Sequence, residues 1–191
     1  MVDYSHLPDD LPEPADDGAC DHLDGVLLPP VELTSAQGVT QALRDVPTRF
    51  LVLYVYPRTG GPGVSLPDDW DLIPGARGCT PQACAFGDHH AELATLDATV
   101  WGVSAQPIGE QREFAERMHL PFPLLNDSAH RLAEPPLRLP TFTAGTRRLY
   151  RRVTLVAERG RVVRVFYPVF PPDQNAADVV ADLTTRAQAK L

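Results

Sequence analysis

"RFLVLYVYP" (residues 49–57) is the stretch on which the fold turns. It is a continuous apolar run rich in Leu, Val and Tyr and stopped by Pro57, the pattern of a strand buried on both faces at the centre of a sheet. Working outward, "ATVWGVSAQ" (98–106) reads as a second buried strand. "RVTLVAERGRVVRVFYP" (152–168) reads as two strands folded around Glu158-Arg159-Gly160 into a hairpin. Between the first two strands, "CTPQACAFGDHHAELATL" (79–96) has the apolar spacing of a helix. After the second, "GEQREFAERMHL" (109–120) sets Phe114, Ala115 and Met118 on one face opposite its charges. "NAADVVADLTTRAQAKL" (175–191) predicts a closing helix with Asn175 or Asp173 as its cap.

The order β-α-β-α-β-β-α predicts a three-layer α/β domain, with a central mixed sheet, helices on both faces and an antiparallel hairpin at one edge. That is the plan of a thioredoxin-like fold. Ligands of such sheets gather at the carboxyl ends of the strands, where Pro57 ends the central strand and the cysteine-bearing helix follows. The chain of 191 residues is long enough for one domain with a substantial core, and 43% hydrophobic and 22% charged residues are ordinary for a globular protein. Twenty prolines imply many turns. A net charge of −8 argues against nucleic acid or an anionic membrane as the main partner. No apolar run approaches the length of a membrane span. "MVDYSHLPDDLPEPADD" (1–17) has neither a basic start nor an apolar segment and is not read as a signal peptide. It reads as an acidic, proline-rich arm, loose over residues 1–22, before a domain spanning 23–191. Three cysteines, an odd number, do not form a secreted disulfide framework, so a cytoplasmic location is expected.

Two of those cysteines, Cys79 and Cys84, lie in "PGARGCTPQACAF" (74–86). Pro81 suits the first helical position and Thr80 the N-cap, which leaves Cys79 at the mouth of the helix. Unpaired N–H groups and the positive end of the helix dipole there favour a thiolate, the reactive form. Cys84 sits among Ala83, Ala85 and Phe86, where nothing activates it. The asymmetry matches an attacking thiol with a resolving partner. Two other readings stay open at this level: Cys84 as a small core hydrophobe, and a metal site from Cys79, Cys84, His89 and His90. Steps of five residues rotate by about 140° on a helix, so those four side chains fan around the axis. The usual C-x2-C and H-x3-H spacings are absent. His89 and His90 read as helix-surface residues, and Cys20, in the acidic arm, as incidental. No metal is expected.

The segment "YPRTG…GCTPQACAFGDHHAEL" resembles the active-site region of peroxiredoxins, and most closely the Q-type (bacterioferritin-comigratory-protein-like) group of the AhpC/TSA superfamily. Gly78, Cys79, Thr80, Gln82, Ala83, Cys84, Phe86 and Asp88 match that pattern, and Arg152-Val153-Thr154-Leu155-Val156 matches the late strand that the family's active-site arginine opens. The similarity runs from about residue 25 to 180. One departure is clear: the family spaces its motif P-x3-T-x2-C, whereas Ala76 stands three before Cys79. Pro57 and Thr59 look like the start of the motif, cut off from Cys79 by "GGPGVSLPDDWDLIPGAR" (60–77). Either Thr59 supplies the hydroxyl across this loop or another group does. Trp70 and Ile73 suggest a loop that packs over the site as a wall.

The resemblance implies a thiol peroxidase. Cys79 would attack hydrogen peroxide or an organic hydroperoxide and become a sulfenic acid, with Arg152 and helix N–H groups stabilising the charge. Cys84 would then close an intramolecular disulfide, which a thioredoxin-like donor reduces, and no bound cofactor is required. A monomer is expected, because both cysteines lie in one chain. Residues five apart on a helix have Cα atoms roughly 8–9 Å apart, beyond the reach of a disulfide, so the first turn must unwind when the bond forms. A thiol–disulfide oxidoreductase and a non-enzymatic peroxide sensor are the other functional classes.

Overall fold

The expected central strand is β3, Phe50–Val55, with all six residues buried. The computed structural model describes residues 7–8, 10–61, 66–67 and 69–189. Chain-order strands are β1 (Glu32–Ser35), β2 (Thr40–Ala42), β3, β4 (Ala98–Ser104), β5 (Leu124–Asn126), β6 (Thr141–Ala144), β7 (Arg147–Tyr150), β8 (Val153–Glu158) and β9 (Arg161–Phe166). The helices are α1 (Cys79–Asp88), α2 (His90–Thr95), α3 (Ile108–Arg117) and α4 (Asn175–Gln188). Seven strands make one mixed sheet in the order β2-β1-β5-β4-β3-β8-β9, and β6 and β7 form a separate ribbon. β3 runs parallel to β4 and antiparallel to β8. The edge hairpin β8–β9 turns at Arg159 and Gly160, both with positive φ, the conformation that matches the twist of a two-residue hairpin.

Successive residues of β3 point to opposite faces and so divide the core. Leu51, Leu53 and Val55 belong to one cluster; Phe50, Val52 and Tyr54 belong to the other. The sheet is flanked by helices, but unevenly. Buried residues of all four α-helices, among them Phe86, Leu93, Phe114 and Val179, join the second cluster. The steps β3→β4→β5 are parallel and move the same way across the sheet, so right-handed crossovers carry α1, α2 and α3 over the same face. The flanking expected on both faces is thus uneven: the α-helices cover one face, while the first cluster is closed by Leu23 and Leu132 from the short 3-10 helices Asp21–Leu23 and Arg131–Ala133 and by Leu28, Leu137 and Tyr150.

Three expectations are corrected. Helix α1 begins two residues earlier than its proline suggested: Gly78 holds the cap position at φ 103°, Cys79 is the first helical residue, and Pro81 the third. The first intrahelical bond is Gln82 N–H to Gly78 O, so the missing N–H of Pro81 costs no hydrogen bond. The predicted helix over 79–96 is two helices, broken at His89 (φ −88°, ψ 2°). Neither Asp173 nor Asn175 caps α4; Gln174 occupies that position without a side-chain cap bond, while Asn175 is buried and turned toward the sheet.

The acidic arm is not loose where it is described. Asp17 accepts hydrogen bonds from Tyr167 Oη at 2.9 Å and from Arg151 Nη1 at 3.1 Å. Cys20 is in the core, and burial, followed by the charges of Asp17, Asp16 and Asp21, pushes its thiol up to about 12. It is a packing residue and a poor nucleophile at neutral pH. Residues 1–6 and 9 lie outside the described residues.

Candidate active site

Cys79 is the first residue of α1, beside the carboxyl end of β3, and is 3% exposed. Gly78 is obligatory before it. Its φ lies in the left-handed region, and a Cβ there would meet Leu7 Cδ2 at 2.9 Å and Pro172 more closely still. A larger residue would push the helix mouth away from both neighbours.

Arg152, the residue before β8, is 4% exposed and reaches the sulfur: Nη2 lies 3.2 Å from Cys79 Sγ. The same nitrogen donates to the carbonyls of Gly75 (3.3 Å), Ala76 (3.2 Å) and Arg77 (3.0 Å), and Nη1 donates to Gln82 Oε1. Sγ lies 3.6 Å from Ala76 O. One guanidinium therefore holds the loop before the helix, the first turn of the helix and the reactive atom in register, as a planar fork can. Gln82 passes the constraint on. Its Nε2 donates to Asn175 Oδ1 at 3.0 Å, and Thr154 Oγ1 donates to the same oxygen at 2.6 Å. Sequence reading assigned Asn175 to a helix cap and missed this bridge; only Gln82, inside the cysteine motif, hinted at it.

Cys84 lies five residues on in α1 and is half-buried; like the buried Cys79 it is a free thiol. Burial, then Asp88, pushes its thiol up, while Arg117 opposes. The phenol of Tyr54, fully buried and stacked on Phe86 at 4.6 Å, feels the charges of both cysteines and of Arg152. Burial, followed by Tyr56, pushes that phenol up, and its hydroxyl has no partner among the described residues.

Thr59 is buried with its N–H and hydroxyl both on Gln106 Oε1, each at 3.1 Å. Gln106 Nε2 in turn reaches Glu110, which binds Arg58 through two contacts of 3.1 and 2.9 Å. Arg58 lines the cleft at Cys79 together with Leu66, Trp70, Arg77 and Thr80. The expected wall is thus present: Trp70 packs with Ala76, Ala144 and Leu149, and Ile73 and Phe142 lie against them. Residues 62–65 and 68 of that loop lie outside the described residues. Arg77, 7% exposed, is paired with Asp71 at 3.0 Å. His89 pairs with Glu92 at 2.9 Å and His90 packs by Phe122, so neither turns toward the cysteines. Arg147 and Arg148 are exposed.

A thioredoxin-like sheet with a cysteine at a helix mouth, clamped by a buried arginine, defines the redox-active thiol class, and the chain belongs to the redoxin family, whose model matches residues 23–183. Within it the chain belongs to the Q-type peroxiredoxins. It is 38% identical over 110 residues to peroxiredoxin Bcp of Bacillus subtilis, covering 58% of this chain and 60% of that protein. It is 30% identical over 152 residues to the chloroplastic peroxiredoxin Q of Sedum lineare, covering 79% of this chain and 72% of that protein. The crystal structure of peroxidoxin BcpB from Mycobacterium tuberculosis superposes with a TM-score of 0.69 at 25% identity, covering 85% of this chain and 96% of that one. The chain spans about three fifths of the length of the Bacillus subtilis protein, with 60% of it covered. Among the described residues no helix is long and apolar enough to cross a membrane.

Proposed function

We propose that the protein is a thiol peroxidase that reduces hydrogen peroxide and organic hydroperoxides through Cys79, with Cys84 as resolving partner. The observation that carries this reading is the 3.2 Å approach of Arg152 Nη2 to Cys79 Sγ at the start of α1. A fixed positive charge and the free N–H groups of the first turn stabilise a thiolate and the charge that develops on the peroxide oxygens. The sulfur attacks the terminal peroxide oxygen; the S–O bond forms as O–O breaks, and the departing alkoxide or hydroxide takes up a proton. Cys79 is left as a sulfenic acid. The Cys84 thiolate then attacks Cys79 Sγ, hydroxide leaves, and the disulfide is reduced by a thioredoxin-like protein through thiol–disulfide exchange.

Arg152 is the electrostatic residue, since it touches the reacting sulfur. Thr59 is a positioning residue in this reading: through Gln106 and Glu110 it sets the Arg58 guanidinium at the cleft. We place the protein in the cytoplasm as a monomer, on its odd cysteine count and on a cysteine pair contained in one chain. Peroxide consumption by wild type, Cys79→Ser and Cys84→Ser tests the reading. Cys79→Ser should be inert, and Cys84→Ser should turn over once and stop. Full recycling by Cys79→Ser would overturn it, and wild-type consumption that stops at one equivalent of peroxide with a thioredoxin system present would favour the peroxide-sensor reading.

A further inference from the structure

We propose that Leu7, Pro14 and Asp17 of the acidic arm are positioning residues for Cys79: the arm straps the mouth of α1 and must lift before Cys84 reaches the sulfur. This deepens the peroxidase reading and rests on it. The arm touches three supports of the sulfur in turn. Leu7 crowds Gly78, the cap of α1, where a Cβ would stand 2.9 Å from Leu7 Cδ2. Pro14 lies on Gly75, its Cβ 3.4 Å from the place a side chain there would start, and the Gly75 carbonyl accepts from Arg152 Nη2 at 3.3 Å. Asp17 accepts from Tyr167 Oη at 2.9 Å and from Arg151 Nη1 at 3.1 Å, and Arg151 is the neighbour of Arg152 in the chain. Pro14, Gly75, Arg151, Arg152 and Tyr167 line one cleft, so these contacts converge on the arginine that reaches Cys79 Sγ.

The arm is suited to be held and released. Residues 11–17 belong to no helix or strand, and Pro8, Pro12 and Pro14 stiffen the chain, so laying it down costs less backbone entropy. Its far end is pinned, because Cys20 and Leu23 are in the core. Its hold on the helix mouth is light. Leu7 and Pro14 are only half-buried, and the side chains of Asp17 and Arg151 are 46% and 43% exposed, a setting in which an ion pair holds weakly. Pro172, the other residue crowding Gly78, is buried just before α4. When the first turn of α1 unwinds to join Cys79 to Cys84, the cap moves, and of its two neighbours Leu7 is the one that can yield. The strap therefore acts with opposite sign on the two steps. It steadies the loop whose carbonyls Arg152 grips, which favours attack on the peroxide, and it resists unwinding, which slows closure of the disulfide. A brace that fits only the folded mouth shifts the balance by its preference for that state.

Stopped-flow mixing of the reduced full-length protein with hydrogen peroxide separates the two steps, with Trp70, which lines the cleft at Cys79, as the reporter. Oxidation of Cys79 scales with peroxide concentration, and disulfide closure does not. The measured quantity is the ratio of the closure rate to the oxidation rate, read within one variant so that a general loss of activity cancels. Asp17→Lys sets a like charge against Arg151 and should raise the ratio about threefold, the range an exposed charge pair supplies. Leu7→Asp removes the apolar contact with the cap and should raise it about fivefold or more. Leu7→Met keeps that contact and should leave the ratio at the wild-type value. A ratio unchanged or lowered in Asp17→Lys or in Leu7→Asp overturns the strap while leaving peroxide reduction intact. A wild type with no peroxide-dependent phase overturns the peroxidase reading, and the strap falls with it.

Discussion

Replacing Arg152 with Ala perturbs the one side chain that touches both the sulfur and the loop before it. The substitution removes a charged donor 3.2 Å from Cys79 Sγ and leaves the carbonyls of Gly75, Ala76 and Arg77 without the nitrogen they share. Loss of a preorganised donor aimed at developing charge typically lowers the rate by about 10²–10³, roughly 3–4 kcal/mol of barrier. The orphaned carbonyls and Gln82 cost a further 2–4 kcal/mol or so of stability, which lowers the melting temperature by about 5–15 °C in a chain of this size. Arg152→Lys keeps a charge but not the fork, so it can serve the sulfur or the carbonyls but not Gln82 as well; it should recover about a tenth of the lost rate. Stopped-flow fluorescence follows the first step, since Trp70 lines the cleft, and calorimetry follows the stability. A wild-type first-step rate in Arg152→Ala would refute the assignment and turn attention to Arg77. Loss of stability with full rate would make Arg152 a structural clamp only.

Three further outcomes are expected. Oxidation by one equivalent of peroxide should speed amide exchange over residues 82–88, because Cys79 and Cys84 cannot bond across an intact α1; a Cys79–Cys84 disulfide with unchanged protection there contradicts this. In a Cys20→Ser, Cys79→Ser background, alkylation of Cys84 should reach half its limiting rate above the ordinary thiol pH. Burial and Asp88 raise that thiol, so its thiolate gathers only as pH rises past the usual range; a midpoint at or below that range would count against the packed α1. Gly78→Ala forces a side chain into the left-handed region and against Leu7 and Pro172, which should lower stability by about 1–3 kcal/mol in a melting assay; an unchanged melting temperature would show that the cap is tolerant.

The sequence was most informative where local pattern and burial coincide. β3 and β4 were legible because strands buried on both faces must be continuously apolar, and the β8–β9 hairpin because Arg159-Gly160 marks its turn. Cys79 was legible from the residues beside it, whereas Arg152 was picked out only by the family resemblance. What local pattern could not show depends on partners far along the chain. Asp17 looks like one acid among many until Tyr167 and Arg151, 150 and 134 residues away, are folded against it. Asn175 has the residue type of a helix cap, but Thr154 and Gln82 hold its amide instead. The helix start was misplaced because the rules for Pro81 and Thr80 describe average preferences, and a glycine at positive φ can close the helix two residues earlier. β1, β2 and β5 are three or four residues long and partly polar, too short for periodicity to register.

The central claim is that Cys79 attacks the peroxide and Cys84 resolves it. Peptide mass mapping of Cys84→Ser treated with one equivalent of hydrogen peroxide in the presence of a sulfenic-acid trap tests it most directly. The adduct should sit on Cys79 alone, and wild type under the same conditions should give an intramolecular Cys79–Cys84 disulfide in place of the adduct. An adduct on Cys20, or a wild-type disulfide joining Cys79 to Cys20 or to a second chain, would contradict it.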